Sequence, residues 1–280
     1  MVIFMREKIL YLINKGFNFN EILIYLSLTR VILLSYYNSF INDDTIPFEL
    51  IGKIKNDYLE NLFFINLESE KVIFISDTHI GSKYENINYL TQVKYFIEKN
   101  NIKYLFHGGD IGDGMVNYHS KFNNYDKQIE HLLEVYFNMF EIKQFILGGN
   151  HDYKYKRKGV DILNLLSNNS LIDNIGYYNA YFKIFDKIVS FEHNSKKQNN
   201  LIDIDFRILG HSHIGKFKEN LVMLPARCEE NSCNYLNFNP GFIILESKKE
   251  KNSIELLYSQ YNYTENEPKK FKTKKYILKD

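Results

Sequence analysis

With 280 residues and 45% hydrophobic content, the chain can bury one full-sized core and has residues left for a small second unit. Lysine plus arginine (35) nearly balances aspartate plus glutamate (34), so the net charge of +1 gives no strong overall field for nucleic acid or anionic lipid, and local clusters must supply any such attraction. The two cysteines, Cys228 and Cys233, exclude a disulfide framework, and a lone C-x4-C pair lacks the second ligand pair of a structural zinc site; both read as thiols of a reducing cytoplasm.

At the N-terminus charge arrives at Arg6 and Glu7 before any apolar run of useful length, which argues against a secretory signal. The most apolar stretch, 22–37, is short and carries Arg30, so no membrane span is expected. Apolar residues at helical spacing (Ile9, Leu10, Leu12, Ile13) predict a helix over 3–15 that stops at Gly16. Asn20 is expected to cap a second helix over 21–27 and Thr29 a third reaching Ser39. The turn Ser27-Leu28-Thr29 gives these helices a helix-turn-helix-like pattern. However, a recognition helix presents polar side chains to the major groove, and here Arg30 is followed by Val31-Ile32-Leu33-Leu34, so a helical cap packed on the main domain is the stronger reading. Residues 42–71, with Pro47 and mixed polarity, read as a connection.

Beyond it, apolar and β-branched runs at 71–76, 102–107, 144–147, 187–191, 206–209 and 242–245 alternate with helical patterns at 86–99, 126–140 and 161–167. Strand-helix alternation predicts an α/β layered domain. The expected divisions are a helical unit and linker over 1–65, the main domain over 66–250, and a strand with a lysine-rich tail over 251–280.

Five groups of metal-competent residues follow five of those strands: Asp77-Thr78-His79, Gly109-Asp110, Gly149-Asn150-His151-Asp152, His193, and Gly210-His211-Ser212-His213. Strand C-termini of an α/β sheet converge on one crevice, so such residues meet in space. Imidazole, carboxylate and amide oxygen together suit divalent manganese, iron or zinc rather than copper or an iron–sulfur cluster. Of the other histidines, His107 and His131 read as packing or hydrogen-bonding residues, and His119 lies in a long loop.

In this order the sequence resembles the calcineurin-like metallophosphoesterases, whose pattern D-x-H, G-D, G-N-H-[D/E], H and G-H-x-H runs here from Asp77 to His213. The resemblance covers about 70–245 and extends to a later N-P-G turn at Asn239-Pro240-Gly241. It implies a four-layer α/β/β/α sandwich beside the N-terminal helical unit, and two divalent ions, manganese first, with iron or zinc as alternatives. It also implies that Asp77, His79 and His213 hold one ion, that Asn150, His193 and His211 hold the other, and that Asp110 bridges them. A carboxylate between two cations relieves their repulsion, and the pair would supply hydroxide for attack on a phosphoester. His193 departs from the family in being followed by Asn194 rather than glycine or proline. The resemblance further assigns His151 as proton donor to the leaving group and Asp113 as the residue that orients it and favours its charged form; Asp152 could instead be a supporting partner.

The resemblance implies a phosphate ester as substrate. The 109–132 segment, with Asp113-Gly114 followed by Tyr118 and then by Gln128 to Leu132, resembles family branches that act on polynucleotides, and Gly114 stands where protein phosphatases carry an arginine after the dyad aspartate. Lys154, Lys156, Arg157 and Lys158 follow the Asn150 motif, Lys196 and Lys197 follow His193, and Lys216 and Lys218 follow His213; together they would form a basic rim for DNA or RNA, with Tyr153 and Tyr155 to stack on bases. The expected activity is phosphodiester hydrolysis on nucleic acid. A small-molecule phosphodiesterase or phosphomonoesterase, or a DNA-binding regulator with a vestigial phosphoesterase domain, are the alternatives.

Overall fold

Four helices open the chain: α1 (Val2–Asn14), α2 (Phe19–Leu26), α3 (Arg30–Ile41) and α4 (Phe48–Glu60). The computed structural model describes every residue except 1, 29, 42, 44, 61, 66–70, 185–186, 195–201, 227–239, 251–252, 265–266 and 280. Cys228, Cys233, Lys196, Lys197, the Thr29 cap and Asn239 lie outside the described residues. Helix α2 begins earlier than the sequence pattern implies, because Asn18 rather than Asn20 caps it: Asn18 accepts from the Glu21 N–H at 3.0 Å, and Glu21 accepts from the Asn18 N–H at 2.8 Å. Helix α4 falls inside the stretch read as a connector. Its mixed polarity is amphipathicity, with Ile51, Ile54 and Tyr58 burying one face at helical spacing and the Pro47 carbonyl accepting from Leu50 and Ile51 at its start.

Two sheets follow. The first has the order β1-β6-β7-β8-β10-β9, built from β1 (Phe63–Ile65), β6 (Asn179–Ile184), β7 (Lys187–Glu192), β8 (Phe206–Leu209), β9 (Lys216–Phe217) and β10 (Leu221–Met223). The second has the order β13-β12-β11-β2-β3-β4-β5, from β2 (Val72–Ile75), β3 (Tyr104–Gly108), β4 (Lys143–Gly148), β5 (Ile172–Tyr177), β11 (Gly241–Glu250), β12 (Ser253–Asn262) and β13 (Lys269–Lys279). Strands β2 to β5 are parallel, and β7 is parallel to β8. All six runs predicted as strands are strands. The lysine-rich tail is one too: β13 pairs with β12 along its length, and its lysines charge a sheet edge that would otherwise invite pairing with another chain.

Between the sheets lies an aromatic layer in which Phe74, Phe106, Phe145, Phe182 and Phe191 are buried in mutual contact, with Phe74–Phe106 centroids 5.2 Å apart and Phe106–Phe145 4.8 Å. Burial of each such ring stabilises the fold by roughly 1.5–3 kcal/mol, enough to make this layer a rigid platform beneath the strand ends. Helices α5 (Ile87–Lys99), α6 (Tyr125–Tyr136), α7 (Asn150–Arg157) and α8 (Ile162–Leu166) cover the other face of the seven-stranded sheet, with Leu90, Val93, Ile97, Leu132 and Leu163 packed on Ile73, Leu105 and Ile146. Helices α1 to α4 cover the outer face of the six-stranded sheet through Tyr181 and Ile188. The layers are thus α/β/β/α, and the N-terminal helices supply the fourth. Helix α3 buries Leu33, Tyr37 and Phe40 chiefly among the neighbouring helices, and its buried Asn38 donates to the Asn179 carbonyl at 2.6 Å, which fastens the helical unit to β6. Among the described residues, no helix is long and apolar enough to cross a membrane.

Candidate metal centre

The predicted ligands meet where β2, β3, β4, β7 and β8 end. Asp77, Asp110, His193 and His211 have ligand atoms within 4.8 Å of one another, as do Asp77, His79 and His213, and a third such group joins His79, Asp113 and His151. The Asn150 side-chain oxygen lies 3.1 Å from His193 Nε2. All seven residues implied as ligands therefore line one cleft, His193 included: it is fully buried despite its unusual Asn194 neighbour.

The backbone at these positions is unusual. Asp77 (φ 56°), His79 (44°), Asp110 (55°), His211 (61°) and His213 (58°) all occupy the left-handed region. Among the described residues only Ser27, Asn101 and Tyr178 share it without being glycine. Each such residue costs about 1 kcal/mol or more, so its concentration at one cleft marks loops held by their neighbours rather than by local preference. Those neighbours are identifiable: Asp77 N donates to Gly109 O at 2.9 Å, His79 N to Asp110 O at 3.0 Å, and Gly210 N to Glu192 O at 2.8 Å. Gly109 (φ 95°) is required in two ways, since a Cβ there would also lie 2.4 Å from His193 Nδ1.

Each central carboxylate has one oxygen tied to backbone and the other aimed at imidazoles. Asp77 Oδ2 accepts from His211 N at 3.0 Å, while its buried Oδ1 has no hydrogen-bond partner and lies 3.2 Å from His213 Nε2. Asp110 Oδ1 accepts from His151 N at 2.8 Å, while Oδ2 lies 3.1 Å from His193 Nε2 and 3.9 Å from His79 Nε2, facing both sets. His193 Nδ1 donates to the Gly108 carbonyl at 2.7 Å, which turns Nε2 into the cleft, as the outer nitrogen of a ligating imidazole does. An orphaned buried carboxylate oxygen amid imidazole nitrogens fits divalent cations, which would complete the coordination.

Burial opposes ionisation of Asp77 and Asp110, yet the surrounding histidines hold both well below the usual carboxylate range. Burial likewise opposes charge on His193, but Asp110 and Asp77 push it up to about 9. His79, with burial and the His151 charge acting together, falls to about 3.

His151 stands at the start of α7. Its Nδ1 donates to the backbone carbonyl of Asp113, so the orienting contact comes from the main chain, with the Asp113 carboxylate 3.9 Å away. Because a carbonyl can only accept, Nδ1 carries the hydrogen and Nε2 is left to exchange a proton. Contrary to the expectation that a carboxylate would favour its charged form, the pKa of His151 is lowered: burial dominates and Lys154 adds to it, against Asp110. Asp113 is pushed up to about 7 by burial. Asp152 accepts from the N–H groups of Gly149 (2.9 Å), Gly112 (3.0 Å) and Ile111 (3.2 Å), clamping the turns after β3 and β4 together.

The basic run after Asn150 lies on helix α7 as far as Arg157, with Lys158 capping its end, and its residues diverge. Lys154 shares a face with Asn150 and His151, is half-buried, interacts with the charges of Asp110 and Asp113, and makes no ion pair among the described residues. Lys156 pairs with Asp161 at 2.9 Å and Lys158 lies over the Tyr125 ring, whereas Arg157 is exposed. Tyr155 is buried in the core and cannot stack on a base; Tyr153 is exposed at its edge but packs on Tyr177 and Tyr178.

Sequence reasoning missed Glu85, a buried carboxylate bound by Gly81 N, Lys121 and His131. Glu85 lies in no motif, and its partners Lys121 and His131 are brought to it only by packing of distant segments. His107, as expected, is a hydrogen-bonding residue, 3.2 Å from the Thr78 hydroxyl.

A family model described as calcineurin-like phosphoesterase matches residues 70–223, more than half of the chain. No curated protein gives a significant match. Among solved structures, the chain is similar to wild-type Vps29 of Entamoeba histolytica, solved with zinc, at 15% identity over 74% of this chain and 98% of that one, with a TM-score of 0.41. It is also similar to Yfce, a phosphoesterase from E. coli (15% identity, 73% and 98% covered, TM-score 0.43), and to the calcineurin-like phosphoesterase YfkN of Bacillus subtilis (10% identity, 75% and 90% covered, TM-score 0.32).

Proposed function

This chain belongs to the calcineurin-like phosphoesterase family and is a metal-dependent phosphoesterase; from that premise we propose that it hydrolyses phosphodiesters, with nucleic acid as the substrate class, at a two-cation centre served by His151 as proton donor. The observation that carries the two-cation reading is Asp110 Oδ2, which faces His193 on one side and His79 on the other while Asp110 Oδ1 is tied to backbone. Asp77, His79 and His213 would hold one ion, Asn150, His193 and His211 the other, and manganese is the ion to try first. When bound, the two ions supply the positive charge that draws in phosphoryl oxygens and makes water a better nucleophile near neutral pH.

The remaining chemistry belongs to side chains of the protein. Lys154, half-buried and without an ion-pair partner among the described residues, binds a nonbridging phosphate oxygen on the α7 side of the cleft. The phosphate anion, once beside His151, offsets the burial that disfavours its charged form. As the P–O bond to the leaving group breaks, the leaving oxygen keeps the bonding pair and takes the proton from His151 Nε2, while Nδ1 stays on the Asp113 carbonyl. Gly114 supports a substrate other than phosphoprotein: a Cβ there would lie 2.0 Å from the His151 carbonyl oxygen, so the arginine of protein phosphatases has no room.

The test is hydrolysis of bis-nitrophenyl phosphate, nitrophenyl phosphate and labelled single- and double-stranded DNA with added manganese, with Asp110→Asn as control. Diester and DNA cleavage should fall by on the order of a thousandfold in the variant, the upper end of losing one electrostatic stabiliser. Retention of activity in Asp110→Asn would remove the bridging role, and activity confined to small esters would remove nucleic acid as substrate.

A further inference from the structure

Gln128 lies on α6, far in sequence from every ligand, and its side chain is fully buried. A buried amide demands partners for two N–H groups and an oxygen. Its Nε2 reaches the Met115 carbonyl at 2.9 Å, the Ser120 hydroxyl at 2.9 Å and Asp113 Oδ2 at 3.4 Å. Its Oε1 accepts from the Tyr155 hydroxyl. One amide thus ties together both ends of the Asp113–Met115 turn, the loop beyond it, and α7, which carries His151 and Lys154.

Space has been made for this contact. Gly81 adopts φ 94°, and a Cβ there would lie 2.5 Å from Gln128 Cγ. Tyr155, itself buried, presents its hydroxyl from one turn along α7 after His151. The carbonyl that holds His151 Nδ1 belongs to Asp113, so whatever fixes the 113–115 turn fixes the direction of Nε2. A proton transferred in the transition state is sensitive to that direction, because the donor must lie within hydrogen-bond reach of the leaving oxygen.

We infer that Gln128 is a positioning residue for proton transfer: it fixes the Asp113–Met115 turn to α6 and α7, and so holds His151 toward the leaving group. The inference rests on His151 being the proton donor. A residue that only stabilised the fold would slow every substrate alike, whereas loss of positioning slows those substrates whose leaving group needs the proton.

The experiment measures kcat for aryl phosphodiesters whose leaving groups run from nitrophenol to unsubstituted phenol, with manganese-loaded wild type, Gln128→Met, Gln128→Glu and His151→Ala. Gln128→Met removes every hydrogen bond; Gln128→Glu keeps the volume and the oxygen that accepts from Tyr155 but brings a carboxylate to the Met115 carbonyl and Asp113. Both should lose about tenfold or more on the phenyl ester and under about threefold on the nitrophenyl ester, a fraction of what general acid catalysis contributes. If Gln128→Met melts early or binds less manganese, Gln128→Glu decides. Equal loss across the series in both variants, with a leaving-group-dependent loss in His151→Ala, would overturn the positioning role alone. A His151→Ala loss that ignores the leaving group would instead remove the proton-donor reading beneath it.

Discussion

The cleft has two sides built on different principles. On the strand side, Asp77, His79, Asp110, His211 and His213 sit in left-handed backbone at strand ends, each held by hydrogen bonds from the neighbouring loop. On the helix side, His151 and Lys154 project from the ordinary backbone of α7; the Asp113 carbonyl holds the His151 ring, Asp152 binds the turn before the helix, and Gln128 binds the Asp113–Met115 turn. The first side places oxygen and nitrogen donors around charge, where a few tenths of an ångström matter and strain is tolerated because many contacts oppose its relief. In the proposed mechanism the second directs single protons and charges at a substrate, where the orientation of a rigid helix matters more. The same split applies to the lysines: among the described residues Lys154 makes no ion pair and interacts with the charges of Asp110 and Asp113, whereas Lys156 is paired with Asp161.

The harshest way to break this comparison is Asp152→Ala, because Asp152 joins the two sides by clamping Ile111 and Gly112 after β3 to Gly149 before α7. Three buried N–H groups would lose their acceptor at about 1–3 kcal/mol each. Urea unfolding should show a loss of at least about 3 kcal/mol, together with lowered manganese stoichiometry. A change below about 1 kcal/mol would mean that the turns hold themselves.

A smaller effect separates the lysines. Lys154→Ala should raise KM for bis-nitrophenyl phosphate about tenfold, as expected for removing a charged hydrogen bond, and leave manganese content unchanged. An unaltered KM would leave the α7 side without a phosphate contact. Smallest is Lys156→Ala, whose exposed pair with Asp161 contributes about 1 kcal/mol or less to stability. Its KM should match wild type, and its DNA affinity should keep the same salt slope; an equal response from both lysines would restore the basic rim that the sequence implies.

How far the sequence carried this reading follows from the same division. A metal ligand must be a particular residue type at a particular strand end, so Asp77, Asp110, Asn150 and the four histidines proposed as ligands were legible as a spaced pattern, and each is in the cleft. The strands beneath them were legible because they are short, β-branched and buried on both faces. By contrast, α4 was hidden in mixed polarity, and β13 in lysines whose strand character depends on pairing with β12.

What the sequence alone determined, then, was the inventory of the site and the class of fold: residue types and periodicities are local properties, readable one segment at a time. Only tertiary structure decided which carboxylate oxygen faces the imidazoles, that His151 is oriented by a backbone carbonyl, that Lys154 turns inward while Lys156 turns out, and that Gln128 reaches the Asp113 turn. Those outcomes depend on groups distant in the chain competing for the same few ångströms, and no local pattern encodes the result of that competition.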